Sequence, residues 1–262
     1  MTTNNAGATS SAPTGAAGTV HASRKTVLRD SVRHRYEAMM AEWDTQPPGT
    51  ADQIPVCTRR RAAVSRLMDI VVSGIGLIVF APVMAAVAII IRLGTPGPIL
   101  FRQQRLGKGG KPFTFIKFRS LYADARERFP DMYAYTWSDD HFKSLVFKAP
   151  NDPRITPQGR WLRATSLDEL PNLWNVLKGD MALVGPRPDI LEFLPYNRGE
   201  MLRRYSVLPG VTGLAHVSGR SNLSVMESVA YDLEYVDRRS FWFDLEIMIR
   251  TVLAVLVHRG AF

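Results

Sequence analysis

Two adjacent carboxylates, Asp168 and Glu169, are the side chains of this 262-residue sequence whose types and spacing could do chemistry. Cations are spread over other segments that folding could bring to them. They are Lys117, Arg119, Arg163, Arg187 and Arg220. Carboxylates among cations suit phosphoryl transfer with a divalent metal, because the metal and the cations hold phosphate oxygens while a carboxylate acts as ligand or nucleophile. The sequence therefore indicates phosphate chemistry, provided that these segments converge.

The same two carboxylates also have a purely structural interpretation. Ser166 with Glu169 three residues later matches a capping box, and acidic residues in the first turn complement the helix dipole. Taken alone, this pattern favours a helix start over catalysis. Both interpretations stay open at this point.

Arg187 stands between two prolines, which restrict the backbone on both sides of it. A guanidinium held in this way can grip a phosphate bidentately with little further loss of entropy, although a rigid surface turn explains the motif equally well. The segment 209–214 is a weak signal for a phosphate cradle made of backbone N–H groups. His216 is more typical of a structural histidine, and no cluster of His and Cys predicts a zinc site.

The elements that must position these residues follow from hydrophobic patterning. Alternation over 113–119 predicts a strand with Phe113, Phe115, Lys117 and Arg119 on one face. Other predicted elements are a turn at 152–156, helices at 161–164 and 168–177, a loop at 185–188 and an amphipathic helix at 241–257. This last helix could lie among lipid headgroups or pack on the core.

An apolar segment at 70–91 carries no charge and has about the 20 residues that a helix needs to cross a bilayer. Basic residues flank both of its ends. They are Arg59, Arg60, Arg61 and Arg66 before it, and Arg92, Arg102, Arg105, Lys108 and Lys111 after it. Because Lys and Arg mark the cytoplasmic side, the symmetric flanks predict a helix that enters and returns, broken at Pro82. A kinked spanning helix and a buried core helix are the alternatives.

The composition sets the limits of these interpretations. A net charge of +9 favours anionic partners without choosing among phosphates, nucleic acid and anionic lipids. A single cysteine, Cys57, excludes an intramolecular disulfide and suits a reducing compartment. Residues 1–23 are mostly small and polar and predict a disordered tail without a secretory signal, followed by a short helix within 24–44.

Several motifs occur together and in order along the chain. They are FRQQRLG at 101–107, KFRS at 117–120, LR at 162–163, SLDELPNLWNVLKGDM at 166–181, VGPRP at 184–188 and PGVTG at 209–213. Together they resemble the bacterial sugar transferase family of monotopic polyprenyl-phosphate sugar-phosphate transferases. The resemblance runs from about Arg66 to Val257, and its long central block is specific.

The resemblance implies an α/β fold, with a re-entrant membrane helix-break-helix followed by a small, mostly helical catalytic domain with a short sheet. The expected divisions are a tail at 1–60, the membrane element at 61–97 and the catalytic domain at 98–262. The implied enzyme lies on the cytoplasmic face of the bacterial inner membrane. It moves a sugar 1-phosphate from a UDP-sugar to undecaprenyl phosphate, releases UMP and begins exopolysaccharide or O-antigen-type glycans.

The resemblance also assigns roles to residues. Asp168 matches the nucleophile that forms a covalent intermediate and Glu169 its dyad partner, and both are expected to hold Mg²⁺. The expected substrate-phosphate ligands are Lys117, Arg119, Arg163, Arg187, Arg220 and Gln104. The break falls at Pro82. Ala81 and His216 depart from the pattern, since the family often has Ser and Gln at these positions.

Two rival functions and one assembly state complete the expectations. The net charge and the Phe113, Phe115 and Phe118 side chains interleaved with Lys117 and Arg119 would also suit a membrane-tethered nucleic-acid-binding protein. That rival leaves the carboxylates unexplained, so no nucleic-acid partner is expected. The second rival is a membrane-attached protein without catalysis. A homodimer is a further expectation.

Overall fold

The structure, a computed structural model, describes residues 30–55, 63–146, 152–219 and 222–256. Its helices are α1 (Asp30–Glu42), α2 (Ala63–Val79), α3 (Ala81–Gly94), α4 (Ala125–Arg128), α5 (Asp139–Ser144), α6 (Pro157–Thr165), α7 (Asn172–Lys178), α8 (Leu214–Ser218), α9 (Val225–Arg238) and α10 (Phe241–Leu256). Its strands are β1 (Leu100–Leu106), β2 (Pro112–Phe118), β3 (Ala182–Val184) and β4 (Gly210–Thr212). The fold is therefore mostly helical, with two small sheets.

The first sheet is an antiparallel hairpin of β1 and β2. Phe113 and Phe115 are buried, so the predicted strand and its core-facing alternation are confirmed. Residues that pair directly across the hairpin share a face. Phe101 pairs with Lys117 and Arg105 with Phe113, which places Arg105 on the same face as Lys117.

The second sheet pairs β3 and β4 in parallel. Part of the predicted phosphate cradle at 209–214 is used in this sheet: the N–H of Gly210 donates to the carbonyl of Pro186, and the carbonyl of Pro209 accepts from the N–H of Ala182. The two backbones come very close, since a Cβ on Gly210 would lie 2.1 Å from the nitrogen of Gly185. Glycine is required at that position because the two backbones pack so closely.

The core lies around α9, which is buried along most of its length. α1 packs against α9, and Val32, Met39 and Trp43 belong to the same buried cluster. The short helix expected within 24–44 is α1, and residues 30–55 of the expected 1–60 tail are folded against the domain through their apolar side chains. Residues 1–29 lie outside the described part of the chain. The other domain limits stay predictions.

α2 and α3 form a bent pair with an angle of 59° between them. The bend falls at Phe80, and Pro82 stands in the first turn of α3, where a missing N–H costs nothing. Within the described residues no single helix is long and apolar enough to cross a membrane, although this pair meets both criteria together. Large apolar side chains are exposed along it, including Leu67, Ile70, Val71, Ile75, Ile78, Val79, Ile89 and Leu93.

Both ends of the bent pair are attached to the domain. At the start of α2, Arg66 donates to the carbonyls of Val176 and Leu177 at the end of α7. One turn later, the buried carboxylate of Asp69 accepts the N–H of Leu183 in β3, at 3.0 Å. These are the bonds expected for a cation at a helix C-terminus and for a buried carboxylate that must find donors.

The end of α3 is held in a comparable way. Arg119, just beyond β2, donates from its three nitrogens to the carbonyls of Thr95, Pro96 and Pro98, at 2.6 to 2.9 Å. Gln158 of α6 adds a hydrogen bond to the hydroxyl of Thr95. The pair therefore leaves the domain and returns to it.

Candidate active site

Asp168 and Glu169, called the dyad below, lie on a 3₁₀ turn, Leu167–Glu169, between α6 and α7. Ser166 ends α6 in the left-handed region with φ of 57°, and its side chain caps no N–H group. The capping box read from the sequence is therefore wrong, and so is a continuous helix over 168–177, because α7 begins only at Asn172. Without a capping role, the two carboxylates need another explanation.

Asp168 is buried, with 5% of its surface exposed. Its Oδ2 lies 3.8 Å from Nζ of Lys117, an ion pair without a close hydrogen bond. Burial raises the pKa of Asp168 to about 6, although the charge of Lys117 counteracts this rise. The same burial has the opposite effect on a cation, and lowers the pKa of Lys117 to about 8. Both groups are thus tuned toward neutral pH, as is typical of catalytic side chains.

Glu169 has a different environment from its neighbour. Burial alone would raise its pKa, but the charge of Arg187 and a hydrogen bond from Arg187 lower it to about 2. Nη2 of Arg187 donates to Oε1 of Glu169 at 2.8 Å. Nη1 of Arg187 lies 3.0 Å from Nε2 of His216. The two carboxylates therefore differ: Glu169 stays ionised, whereas Asp168 can change protonation near neutral pH.

Arg163 approaches the dyad from the last turn of α6. Its Nε donates to the hydroxyl of Ser120 at 3.0 Å, which fixes the side chain, and its charge lowers the pKa of Asp168. The structure thus brings Lys117, Arg163 and Arg187 to the dyad, from a strand, a helix and a loop.

Two other predicted phosphate ligands, Arg119 and Gln104, are not brought there. Arg119 bonds the backbone after α3, as described above, so its guanidinium serves the attachment of the bent pair. Gln104 is exposed on the opposite face of the hairpin from Lys117, where its amide meets the hydroxyl of Thr114. Arg220 lies outside the described residues. Their contacts to substrate stay predictions.

Arg105, expected from the sequence only as a basic flank of the apolar segment, is a further cation near the site. It lies on the Lys117 face of the hairpin, above the ring of Phe115, and donates to the carbonyl of Pro188. Burial lowers its pKa to about 10, and the charge of Arg187 adds to this effect. The pairing of Arg105 with Phe113 across the hairpin was the missing signal, since it depends on where the turn falls.

A buried quartet of Asp189, Arg204, Tyr205 and Asp232 supports the loop that carries Arg187. Arg204 donates to Asp189 and to Asp232, each at 2.6 Å, and the Tyr205 hydroxyl donates to Asp189 at 2.7 Å. Burial raises the pKa of Asp232 to about 7. Asp189 follows Arg187 by two residues. The hydrogen bonds that Asp189 accepts from Arg204 and Tyr205 therefore hold the loop in place next to Arg187.

The dyad fits a magnesium site that substrate completes. Among the residues described, no group of three or more His, Cys, Asp or Glu side chains is arranged to hold a metal. Magnesium is usually held by one or two carboxylates together with water and substrate phosphate oxygens, and it needs no larger protein set. One oxygen of Glu169 already accepts from Arg187, so Asp168 is the better placed ligand.

The model of the bacterial sugar transferase family matches residues 60–258 of this chain. The chain belongs to the bacterial sugar transferase family. A UDP-glucose:undecaprenyl-phosphate glucose-1-phosphate transferase of Caulobacter vibrioides is 38% identical over 225 residues, which cover 83% of this chain and 77% of that protein. The dyad, Lys117, Arg163 and Arg187 all fall inside the matched region.

Two further relatives in this family are longer proteins. A UDP-glucose:undecaprenyl-phosphate glucose-1-phosphate transferase of Escherichia coli is 36% identical over 80% of this chain and 44% of its own length. An undecaprenyl-phosphate galactose phosphotransferase of Salmonella typhimurium is 39% identical over 76% of this chain and 42% of its own length. The match thus spans less than half of these two sugar transferases.

Proposed function

We propose that this sugar transferase moves a hexose 1-phosphate from a UDP-hexose to undecaprenyl phosphate, and so begins a polysaccharide. The observation that carries the proposal is the dyad with its ring of cations, inside a region that matches relatives named for this reaction. Cations that outnumber carboxylates fit a diphosphate substrate, which brings the missing negative charge.

Asp168 is the proposed nucleophile. One of its carboxylate oxygens attacks the β-phosphorus of the UDP-sugar, the bond from that phosphorus to the oxygen of UMP breaks, and UMP leaves. The phosphate oxygen of undecaprenyl phosphate then attacks the same phosphorus. This step releases the sugar diphospholipid and restores the carboxylate.

The surrounding cations allow an anion to attack an anion. The charges of Lys117 and Arg163 both act on Asp168, and Arg187 is held beside the neighbouring carboxylate. Phosphate charge near these groups is neutralised, which is the main contribution a protein makes to phosphoryl transfer. Magnesium held by Asp168, with help from Glu169, would neutralise further phosphate charge when bound.

One assay tests the class of reaction and the donor together. Membranes that contain the protein are incubated with undecaprenyl phosphate, magnesium and a panel of UDP-sugars that includes UDP-glucose and UDP-galactose, and UMP is measured. We expect UMP only when a suitable donor and active protein are present. No UMP from any donor would favour the non-catalytic membrane protein. Metal-independent binding of oligonucleotides with a steep salt dependence would favour the nucleic-acid rival.

The aromatic motif behind the nucleic-acid rival is lost in the folded protein. Phe113, Phe115 and Phe118 are all buried in the core, so their rings are not available to stack on bases. Phe113 and Phe115 pack in the main core from one face of β2, and Phe118 packs from the other face against Val87, Ile91 and Leu162.

The bent pair α2 and α3 is proposed to enter the bacterial inner membrane and return to the cytoplasmic face. The attachment of both ends to one domain supports this path, since Arg66 and Asp69 hold the start while Arg119 holds the end. Ile78, close to the bend, is 76% exposed, as lipid contact requires. A homodimer stays a prediction.

A proline substitution tests this topology. In a straight helix Pro82 would be an interior residue, at a cost of roughly 3 kcal/mol, which the bend avoids by placing it in the first turn of α3. Pro82→Leu removes this cost and therefore favours a straight helix. A cysteine at Ser10 in a Cys57→Ser background reports the side of the N-terminus to an impermeant reagent in intact cells. We expect protection in the parent and labelling in Pro82→Leu. Labelling of the parent would show that the segment spans.

A further inference from the structure

His216 and Glu169 hold the guanidinium of Arg187 between them. Nη2 donates to Oε1 of Glu169 at 2.8 Å, and Nη1 lies 3.0 Å from Nε2 of His216. The side chain of Arg187 is nevertheless 46% exposed. Fixing such a long and exposed side chain costs about 2 kcal/mol of rotamer entropy. The contacts with Glu169 and His216 must offset this cost, so they determine the position of the guanidinium.

The chemistry of the contact fixes the state of the imidazole. Arginine stays protonated and has no acceptor, so Nη1 must donate and Nε2 must accept. Nε2 therefore carries no proton, and the ring is neutral with its proton on Nδ1. His216 thus acts here as a hydrogen-bond acceptor.

The backbone sets the position of His216 relative to the loop. Gly213 comes directly before α8, and a Cβ at Gly213 would lie 2.3 Å from the carbonyl oxygen of Gly185. The start of α8 is therefore seated on the segment that leads to Arg187. His216 follows within the first turn of α8, which accounts for its reach to the guanidinium.

We propose that His216 is a positioning residue that aims Arg187 at the phosphates of the donor. Glu169 and His216 each engage one terminal nitrogen, which fixes the guanidinium plane and leaves its remaining N–H groups for bidentate contact with phosphate. The proposal rests on the proposed function for the identity of the anion. A glutamine oxygen can accept the same hydrogen bond. His216 therefore keeps a hydrogen-bond acceptor at a position where the family often has Gln.

Substitutions at His216 separate this role from simple packing. His216→Gln retains an acceptor and should keep kcat/KM for the UDP-sugar within about threefold, whereas His216→Leu should lower it about tenfold, the scale of one lost hydrogen bond to a charged group. In an Arg187→Met background, His216→Leu should have almost no further effect, because the donor is already gone. His141→Leu, at an exposed histidine of α5, is the matched control and should leave kcat/KM unchanged.

A spectroscopic readout keeps this test independent of turnover. ¹⁵N NMR of the Arg187 guanidinium should show hindered rotation in the parent and in His216→Gln, and free rotation in His216→Leu. If the parent releases no UMP but this pattern holds, the proposed function fails and the positioning role stands. If UMP is released, and His216→Leu changes neither kcat/KM nor the rotation of Arg187, the positioning role is wrong.

Discussion

The dyad and the buried quartet both bond to the loop that carries Arg187, the dyad through Glu169 and the quartet through Asp189, but their charges are balanced in opposite ways. In the quartet one cation, Arg204, serves two carboxylates at 2.6 Å each, so acceptors are in excess. At the dyad Lys117, Arg163 and Arg187 surround two carboxylates, so cations are in excess, and the Lys117 to Asp168 separation is 3.8 Å.

This difference teaches how to tell a scaffold from a site. In the quartet the buried charges bond closely to one another, so they hold the loop in place and their charges are already paired. At the dyad the ion pair is loose and cations outnumber carboxylates, so the cations can still bind an anion. The predictions below test that division, from the largest effect to the smallest.

Removing the nucleophile should have the largest effect. Asp168→Asn keeps the shape of the side chain but removes its charge, and should lower UMP release on the order of 10³-fold or more. Asp124→Asn, an exposed carboxylate paired with Arg128, is the matched control and should behave like the parent. Near-normal turnover of Asp168→Asn would place the chemistry elsewhere.

Removing the cation of the quartet should destabilise the protein without removing a residue of the dyad. Arg204→Met leaves Asp189 and Asp232 buried without their cation, and should lower the free energy of unfolding by about 3 to 5 kcal/mol. Its neighbour Arg203 makes exposed ion pairs with Glu200 and Asp237, so Arg203→Met should cost about 1 kcal/mol or less. Chemical denaturation measures both, and equal losses would remove the distinction drawn above.

Arg187→Lys should show the reverse behaviour. The charge is kept, but an ammonium cannot grip both Glu169 and a phosphate in one plane, so kcat/KM should fall about 10- to 100-fold. The thermal midpoint should stay close to that of the parent. Unchanged kinetics would reduce Arg187 to a residue of a rigid turn.

The smallest expected effect is a gain in stability from Asp168→Asn. The pKa of Asp168 is raised in the folded protein to about 6, from an ordinary 3.8, so ionising it costs the folded state. The free energy of unfolding of the parent therefore falls as the pH rises from about 4 to about 6, whereas that of the Asn variant does not change for this reason. Above pH 6 the variant should be more stable by on the order of 1 to 3 kcal/mol.

Thermal unfolding at a series of pH values checks the sign of this prediction. The advantage of Asp168→Asn should vanish below about pH 4, where both states of the parent carry a protonated Asp168. A variant less stable than the parent at pH 7 would mean that the carboxylate stabilises the fold, as the quartet does.

Local patterns sufficed for elements whose signals lie within one segment. The alternation at 113–118 gave the strand, the aromatic-led stretch gave α10, and the apolar segment with Pro82 gave two helices. Each signal comes from side chains a few residues apart, so it survives without knowledge of the rest of the fold.

Features that depend on distant partners could not be predicted in this way. Arg119 looked like a phosphate ligand by its type, but the backbone after α3 takes its hydrogen bonds. Gln104 fell on the opposite face from Lys117 because the pairing of β1 with β2 decides the face. Trp43 joined the core only through its contact with elements far along the chain.

The most direct test of the central claim is a covalent sugar phosphate on Asp168. The purified protein, in detergent or lipid nanodiscs with magnesium, is mixed with its UDP-sugar in the absence of undecaprenyl phosphate, quenched in acid and measured by intact-mass and peptide mass spectrometry. We expect a burst of UMP and an added mass of one hexose phosphate less one water, on the peptide that carries Asp168 and absent from Asp168→Asn. UMP formation that requires both substrates, with no adduct at any time, would contradict the account.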